Sequence, residues 1–161
     1  MSGGSCALPR PAFFLVLALG IIWAGAAPSK TITLDDSGTT ALEPSVSLHW
    51  KSTTPPRSGA GNLMVGTTTI RVRINVLPWL KRTAHIYLAL PAQPPGPIGA
   101  SWVAQARFLS GQVQSGNRML IYAGPITSAF LEDVLQFQFT MEGTRIPRTF
   151  PVTFHFEMDE G

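Results

Sequence analysis

The clearest pattern in this chain is an alternation of apolar and polar residues. Three stretches show it: Thr69–Leu77, Leu135–Met141 and Val152–Met158. In the first stretch, Ile70 and Val72 alternate with Arg71 and Arg73. Because successive side chains of a strand point to opposite faces, each stretch predicts a strand with one buried face and one solvated face. Helical periodicity is nearly absent from the chain.

Weaker strand candidates and turn-forming residues fill the remainder. The candidates are Lys30–Leu34, Ser45–Trp50, Ala84–Leu90, Ala100–Leu109 and Arg118–Ala123. Long loops rich in Gly and Pro are predicted over Lys51–Val65 and Pro91–Gly99, and a hairpin over Glu142–Arg145 is predicted to join the last two strong strands. The spacing of these elements predicts an all-β fold. We expect an antiparallel β-sandwich of about seven to nine strands, of the immunoglobulin-like or pilin-like type.

An apolar run near the beginning of the chain has the layout of a secretory signal peptide. The run, Phe13–Trp23, follows the positively charged Arg10 and precedes the small residues Ala24 and Ala26. It is shorter than the roughly 20 residues that a membrane-spanning helix needs. We expect cleavage after Ala26, which separates a signal peptide (residues 1–26) from a single domain (residues 27–161). That domain would have no membrane span and would be found in the periplasm, at the cell surface or secreted.

Composition excludes several classes of protein. The only cysteine, Cys6, lies in the predicted signal peptide, so the exported domain has neither disulfides nor cysteine metal sites. The 12 basic residues exceed the 9 acidic residues by a net charge of +3, which is too small an imbalance to indicate a nucleic-acid-binding protein.

The sequence contains no convincing catalytic or metal-binding motif. The histidines His49, His85 and His155 lack the spacing of a zinc site, and there is no G-x-S-x-G motif. The acidic pairs Asp35–Asp36 and Glu132–Asp133 are expected to be solvated at strand ends, with Asp159–Glu160 as a third such pair. We therefore predict a protein that is not an enzyme and has no cofactor and no metal.

The favoured function is a subunit of a bacterial surface fibre (a pilus or fimbria) that assembles by strand exchange. Thr31–Leu34 is a short alternating segment near the predicted N-terminus of the exported domain. Ile32 and Leu34 would enter successive pockets of a neighbouring molecule, since residues two apart on a strand face the same way. The partners would be other β-sandwich subunits or a periplasmic chaperone. The competing interpretation makes this segment the first strand of its own domain.

The alternative function is a secreted module that binds a carbohydrate or another surface. Trp50 and Trp102 are expected to fill the core, whereas Trp79 lies beside Lys81 and Arg82 at the end of a predicted strand. These last three residues form the candidate ligand surface for a glycan or an anionic surface.

Overall fold

The computed structural model describes residues 30–43, 46–54, 62–93, 96–143 and 149–160. Within them lie twelve strands and one turn of 3-10 helix, Leu77–Trp79. The first six strands are β1 (Lys30–Thr33), β2 (Thr40–Ala41), β3 (Val46–Ser47), β4 (His49–Trp50), β5 (Leu63–Asn75) and β6 (Thr83–Leu90). The other six are β7 (Ile98–Ala104), β8 (Gly111–Gln114), β9 (Asn117–Pro125), β10 (Phe130–Glu142), β11 (Thr149–Phe150) and β12 (His155–Glu160).

The strands form two large antiparallel sheets and one small one. The four-stranded sheet has the order β1-β12-β6-β9, and the six-stranded sheet has the order β2-β5-β10-β7-β8, with β4 also paired to β5. The third sheet pairs β3 with β11. The all-β prediction is confirmed. Four of the strands have only two residues each, which is too short for alternation to show in the sequence. No helix in the described ranges is long and apolar enough to span a membrane; residues 1–26 lie outside those ranges.

The longest element is the pairing of β5 with β10, at thirteen residues each. Its register runs from Asn75 opposite Phe130 to Leu63 opposite Glu142. The predicted alternation is confirmed here, since Val72 and Ile74 are fully buried while Arg71 lies in solvent.

Buried side chains from both large sheets form one hydrophobic cluster. The ring of Phe137 on β10 stacks on Phe139 at 5.4 Å and on Phe154, which precedes β12, at 5.6 Å. Trp102 belongs to this core, as predicted, and its Nε1 donates to the carbonyl oxygen of Leu109 at 2.8 Å. Trp50 was expected in the core as well, but it is 40 % exposed because its strand β4 lies at the edge of the sheet.

Several predicted connections and boundaries are wrong; among the boundaries, the strand predicted over Val152–Met158 begins only at His155. The hairpin over Glu142–Arg145 does not join the last two strong strands, because β10 and β12 belong to different sheets. The predicted loop Lys51–Val65 ends earlier than expected, since β5 begins at Leu63, where it already pairs with β10. The strand predicted over Ala100–Leu109 ends at Ala104, and the residues that follow form a bend.

The beginning of the described chain closes one side of the two large sheets. We call the described residues between 30 and 50 the N-terminal edge segment. Its strands alternate between the sheets: β1 pairs with β12, β2 with β5, β3 with β11, and β4 with β5 again. Unpaired sheet edges invite pairing with other chains, and this segment covers much of the edge on its side.

Candidate functional site

The predicted donor residues lie in the chain's own sheet. β1 pairs antiparallel with β12, with Ile32 opposite Met158. Leu34 is 3 % exposed, and its N–H donates to the carbonyl oxygen of Phe156 at 2.8 Å. Thr31 and Thr33 face solvent, Leu34 is buried and Ile32 is half-buried. Within one chain, β1 therefore has the position that the competing interpretation gives it, the first strand of its own sheet.

Polar contacts on the outer face of the four-stranded sheet hold β1 to its neighbours. The hydroxyl of Thr31 donates to Asp159 at 2.9 Å. Arg118 on β9 donates to both oxygens of Asp159, at 2.8 and 3.0 Å, and to Glu157 at 3.3 Å. Its guanidinium passes over the ring of Tyr87 on β6, 4.4 Å from the ring centroid. These contacts connect all four strands of the sheet.

The pair formed by Arg118 and Asp159 shifts the titration of both groups. The hydrogen bonds from Arg118 lower the pKa of Asp159, because they stabilise its ionised form. The same hydrogen bonds raise the pKa of Arg118.

β1 ends where the chain crosses to the other sheet. The main chain of Asp35 pairs with Asn75 of β5, whose N–H donates to the carbonyl oxygen of Asp35 at 2.8 Å. The side chain of Asp35 accepts a hydrogen bond from the N–H of Ser37 at 3.1 Å, and hydrogen bonding from Ser37 lowers the pKa of Asp35. The turn that follows leads into β2, so residues 35–39 are the connection on which any displacement of β1 would depend.

The second candidate surface is only partly assembled as predicted. Trp79 is half-buried and packs against the core, so it does not offer a flat aromatic face. Lys81 and Arg82 are exposed, next to Leu77, which is 56 % exposed, and Leu80.

The backbone fixes the position of the basic residues in this turn. Lys81 has φ 68°, a left-handed conformation that is uncommon for residues other than glycine. Its N–H donates to the carbonyl oxygen of Ile126 at 2.8 Å, and the N–H of Ile126 donates to the carbonyl oxygen of Arg82 at 2.8 Å. This surface is therefore a fixed turn with exposed apolar and basic side chains.

The buried carboxylate of Asp133 was not predicted. We expected a solvated group at a strand end, but Asp133 is 5 % exposed and lies within β10. It accepts hydrogen bonds from the backbone N–H groups of residues Gln105, Ala106, Arg107, Phe108 and Val134 at 2.6 to 3.2 Å. The carboxylate fixes the bend between β7 and β8. Leu131 and Leu135, two residues before and after Asp133, share its face of the strand, so their alternation could have predicted that Asp133 is buried. A charged group at a core position needs hydrogen-bond partners.

The histidines and carboxylates do not assemble a metal site in the described ranges. No group of three or more His, Cys, Asp or Glu side chains there lies close enough together to hold an ion. His155 contacts Glu157, with Nε2 2.9 Å from Oε1, whereas the register places His155 opposite Ala89 and away from His85 on the same neighbouring strand.

Comparisons with known proteins add no family. The chain matches no protein-family model, no curated protein and no solved structure.

Proposed function

We propose that this protein is an exported, non-catalytic β-sandwich subunit that joins further copies of itself by exchanging β1. The apolar run Phe13–Trp23 supports export, since it has the layout of a signal peptide. The single cluster of buried side chains from both large sheets supports a sandwich, in which two sheets pack face to face. The exported domain would act at the cell surface, as a pilus or fimbrial subunit.

The observation that carries the exchange is the position of β1. Among the described strands, β1 is an edge strand whose one neighbour is β12, and the chain leaves that sheet directly after Leu34. β1 from a second copy could form the same hydrogen bonds, bury the same Leu34 and half-bury the same Ile32, because exchange of an identical element leaves its contacts unchanged. Full burial of one such side chain, as at Leu34, contributes roughly 1.5–3 kcal/mol, and the half-buried Ile32 contributes less.

Copies of the protein can form a ring or a filament through β1 exchange alone, without a second kind of interface. If each copy gives β1 to one neighbour and accepts β1 from another, the contact is head-to-tail and builds a filament when the rotation does not close. A periplasmic chaperone would supply a strand to the β12 edge before assembly, by the same strand addition.

Cysteine trapping tests the exchange directly. Thr33 lies opposite Glu157 in the register of β1 and β12, so Thr33→Cys with Glu157→Cys, in a Cys6→Ser background, places two thiols within reach. We expect oxidation to give a ladder of covalent oligomers on a non-reducing gel. Disulfides formed only within single chains, at high protein concentration, would overturn the proposal.

The matched control uses another cross-strand pair. Thr67 lies opposite Gln138 in the long pairing of β5 with β10. Cysteines at these two positions should cross-link within one chain only, because neither strand takes part in the exchange. Oligomers from this control would show that oxidation itself is unspecific, and the ladder would then not count as exchange.

A second candidate function is binding of a glycan or an anionic surface at the turn that carries Lys81 and Arg82. It is favoured by the exposure of both side chains beside exposed leucines. The test is retention on a heparin column, a sulfated glycan. Lys81→Glu with Arg82→Glu should abolish retention, whereas Lys30→Glu with Arg71→Glu, an equal change in net charge elsewhere, should keep most of it.

A further inference from the structure

The turn between β5 and β6 exposes two leucines beside two cations. Leu77 is 56 % exposed and Leu80 is 38 % exposed, and the chain continues directly from Leu80 into the exposed Lys81 and Arg82. Trp79 lies between the leucines, half-buried, and packs against the core. We call residues 77–82 the basic turn. Apolar side chains next to lysine and arginine characterise protein surfaces that bind at the interface of a lipid bilayer.

Hydrogen bonds hold the basic turn in one conformation. The N–H of Trp79 donates to the carbonyl oxygen of Val76, and the N–H of Arg82 donates to that of Trp79, at 3.0 Å each. Pro78 fixes its own φ angle. Lys81 keeps a left-handed backbone with φ 68°, a conformation that persists only where the surrounding structure fixes it. The exposure of the leucines is therefore a fixed feature of the surface, and little conformational freedom is lost when it binds a partner.

The basic turn lies at one end of the long strands, away from the main gaps in the described chain. It follows Asn75, at one end of the thirteen-residue pairing of β5 with β10, which is about 40 Å long. The two longest internal gaps lie just before Leu63 and just after Glu142, at the other end of that pairing. β1 also begins away from the turn, because the residue that pairs with Asn75 is Asp35, five residues after Lys30.

The charges at this end give only part of the attraction to an anionic surface. Lys81 and Arg82 form no ion pair with a described residue. One lysine or arginine close to an anionic bilayer strengthens binding about 5-fold. Asp35 and Asp36, on the connection from β1 to β2, partly offset the two cations, so the leucines have to supply much of the binding. A bilayer accepts leucine side chains among its acyl chains, whereas a sulfated glycan does not.

We propose that the basic turn docks the exported protein on a bilayer that contains anionic lipid. Leu77 and Leu80 enter the upper part of the acyl region, and Lys81 and Arg82 stay among the lipid phosphates. Trp79 then lies at the interface, where indole rings are favoured. This inference rests on the second candidate function above, and it names the anionic surface as lipid. It does not depend on the exchange of β1.

Sedimentation with vesicles tests the docking on the protein recovered after export. The vesicles contain phosphatidylcholine with about one quarter phosphatidylglycerol, and pure phosphatidylcholine vesicles are compared. We expect the wild type to bind the mixed vesicles at least 10-fold more strongly. Leu77→Ser with Leu80→Ser should weaken binding to the mixed vesicles at least 10-fold, because two partly exposed leucines no longer enter the acyl region. Lys81→Gln with Arg82→Gln should remove the preference for the mixed vesicles.

The matched control removes another exposed leucine. Leu42 is 67 % exposed, and its N–H donates to the carbonyl oxygen of Thr69, six residues and about 20 Å from Asn75 along β5. Leu42→Ser should bind the mixed vesicles within about 2-fold of the wild type. The variant at Leu77 and Leu80 should keep the heparin retention of the wild type, because it keeps both cations. Circular dichroism spectra matching the wild type confirm that each variant is folded.

The fluorescence of Trp79 reports its depth in the bilayer. Brominated phosphatidylcholine in the mixed vesicles should quench the tryptophan emission of the wild type. Trp79→Phe should abolish this quenching, because Trp102 is buried and Trp50 lies opposite Met64, towards the other end of β5. Equal quenching in Trp79→Phe would place another part of the chain at the bilayer and overturn the inference.

The remaining outcomes separate the inference from the function on which it rests. Heparin retention without vesicle binding would overturn the inference and leave the second candidate function, with a sulfated glycan as the ligand. Loss of both would reject that function as well. Equal vesicle binding by the wild type and the leucine variant would reduce the site to a charged surface and overturn the insertion. Equal binding to mixed and pure phosphatidylcholine vesicles would overturn the role of anionic lipid.

Discussion

The buried carboxylate of Asp133 allows a sharp test of what holds this fold together. Asp133→Asn keeps the size of the side chain and removes its charge. The new amide has one acceptor oxygen, and its NH2 group would face backbone N–H donors such as those of Arg107 and Phe108, now 2.6 and 2.7 Å from the carboxylate. Donors would then face donors in a site with little access to water.

The expected loss follows from the number and kind of these bonds. A hydrogen bond to a charged group contributes about 1.5–3 kcal/mol, and part of the bend can bond to water instead because Gln105, Ala106 and Arg107 are exposed. The N–H of the buried Phe108 has no such access. We therefore expect Asp133→Asn to lower the free energy of unfolding by about 3 kcal/mol, within the range for breaking a buried charged contact.

Thermal unfolding measures this loss, and Trp102 provides a local signal. At about 3 °C per kcal/mol for a domain of this size, Tm should fall by roughly 10 °C. The fluorescence of Trp102 should change as well, since its Nε1 bonds to Leu109 next to the bend. Glu132→Gln is the matched control: Glu132 is exposed and pairs with Arg73 at the surface, so its loss should cost less than about 1 kcal/mol. Equal melting temperatures for the two variants would refute the reasoning.

Three further predictions concern the core, the pH dependence and the start of the exported protein. Val72→Asp should unfold the domain, because an unpaired buried charge costs several kcal/mol. Arg71→Asp, on the solvated face, should change the free energy of unfolding by less than about 1 kcal/mol. Similar melting curves for the two variants would contradict the assigned faces. Because the pKa of Asp159 is lowered in the folded state, its ionised form stabilises the fold above the unfolded pKa near 3.8, and this contribution is lost as the pH falls below that value. In Arg118→Gln, the free energy of unfolding should therefore decrease less steeply between about pH 5 and pH 1 than in the wild type. Intact-mass measurement of secreted protein should show Ala27 as its first residue, and a species that retains residues 1–26 would contradict the signal peptide.

The sequence predicted the strands whose alternation is long. Leu135–Met141 lies within β10, and Thr69–Leu77 overlaps β5 as far as Asn75; in both, the assigned faces agree with the observed burial. Val152–Met158 overlaps β12 only from His155 onward. Alternation did not reveal the sheet in which each strand lies, because that is decided by pairing between distant residues. This is why the hairpin over Glu142–Arg145 was predicted wrongly.

The candidate sites show a similar division. The alternation in Thr31–Leu34 is enough to predict that Leu34 points into the core, but it does not predict that the segment pairs with β12. The hydroxyl of the buried Thr68, which has no hydrogen-bond partner among the described residues, could not be predicted, since its surroundings come from strands that are distant in the sequence. A threonine within an alternating strand gives no sign that its hydroxyl lacks a partner.

The antiparallel pairing of β1 with β12 has a mechanical consequence. Lys30 lies opposite Glu160, so the described chain enters and leaves the fold side by side. A tensile load applied between these two positions would pull at right angles to the strands and break the β1–β12 hydrogen bonds one after another. A load passed to β1 from a neighbouring molecule along the strand axis would instead shear all of them at once. The four residues of β1 would therefore separate from β12 at low force within one molecule, and would resist a much higher force when β1 pairs with β12 of a neighbouring molecule.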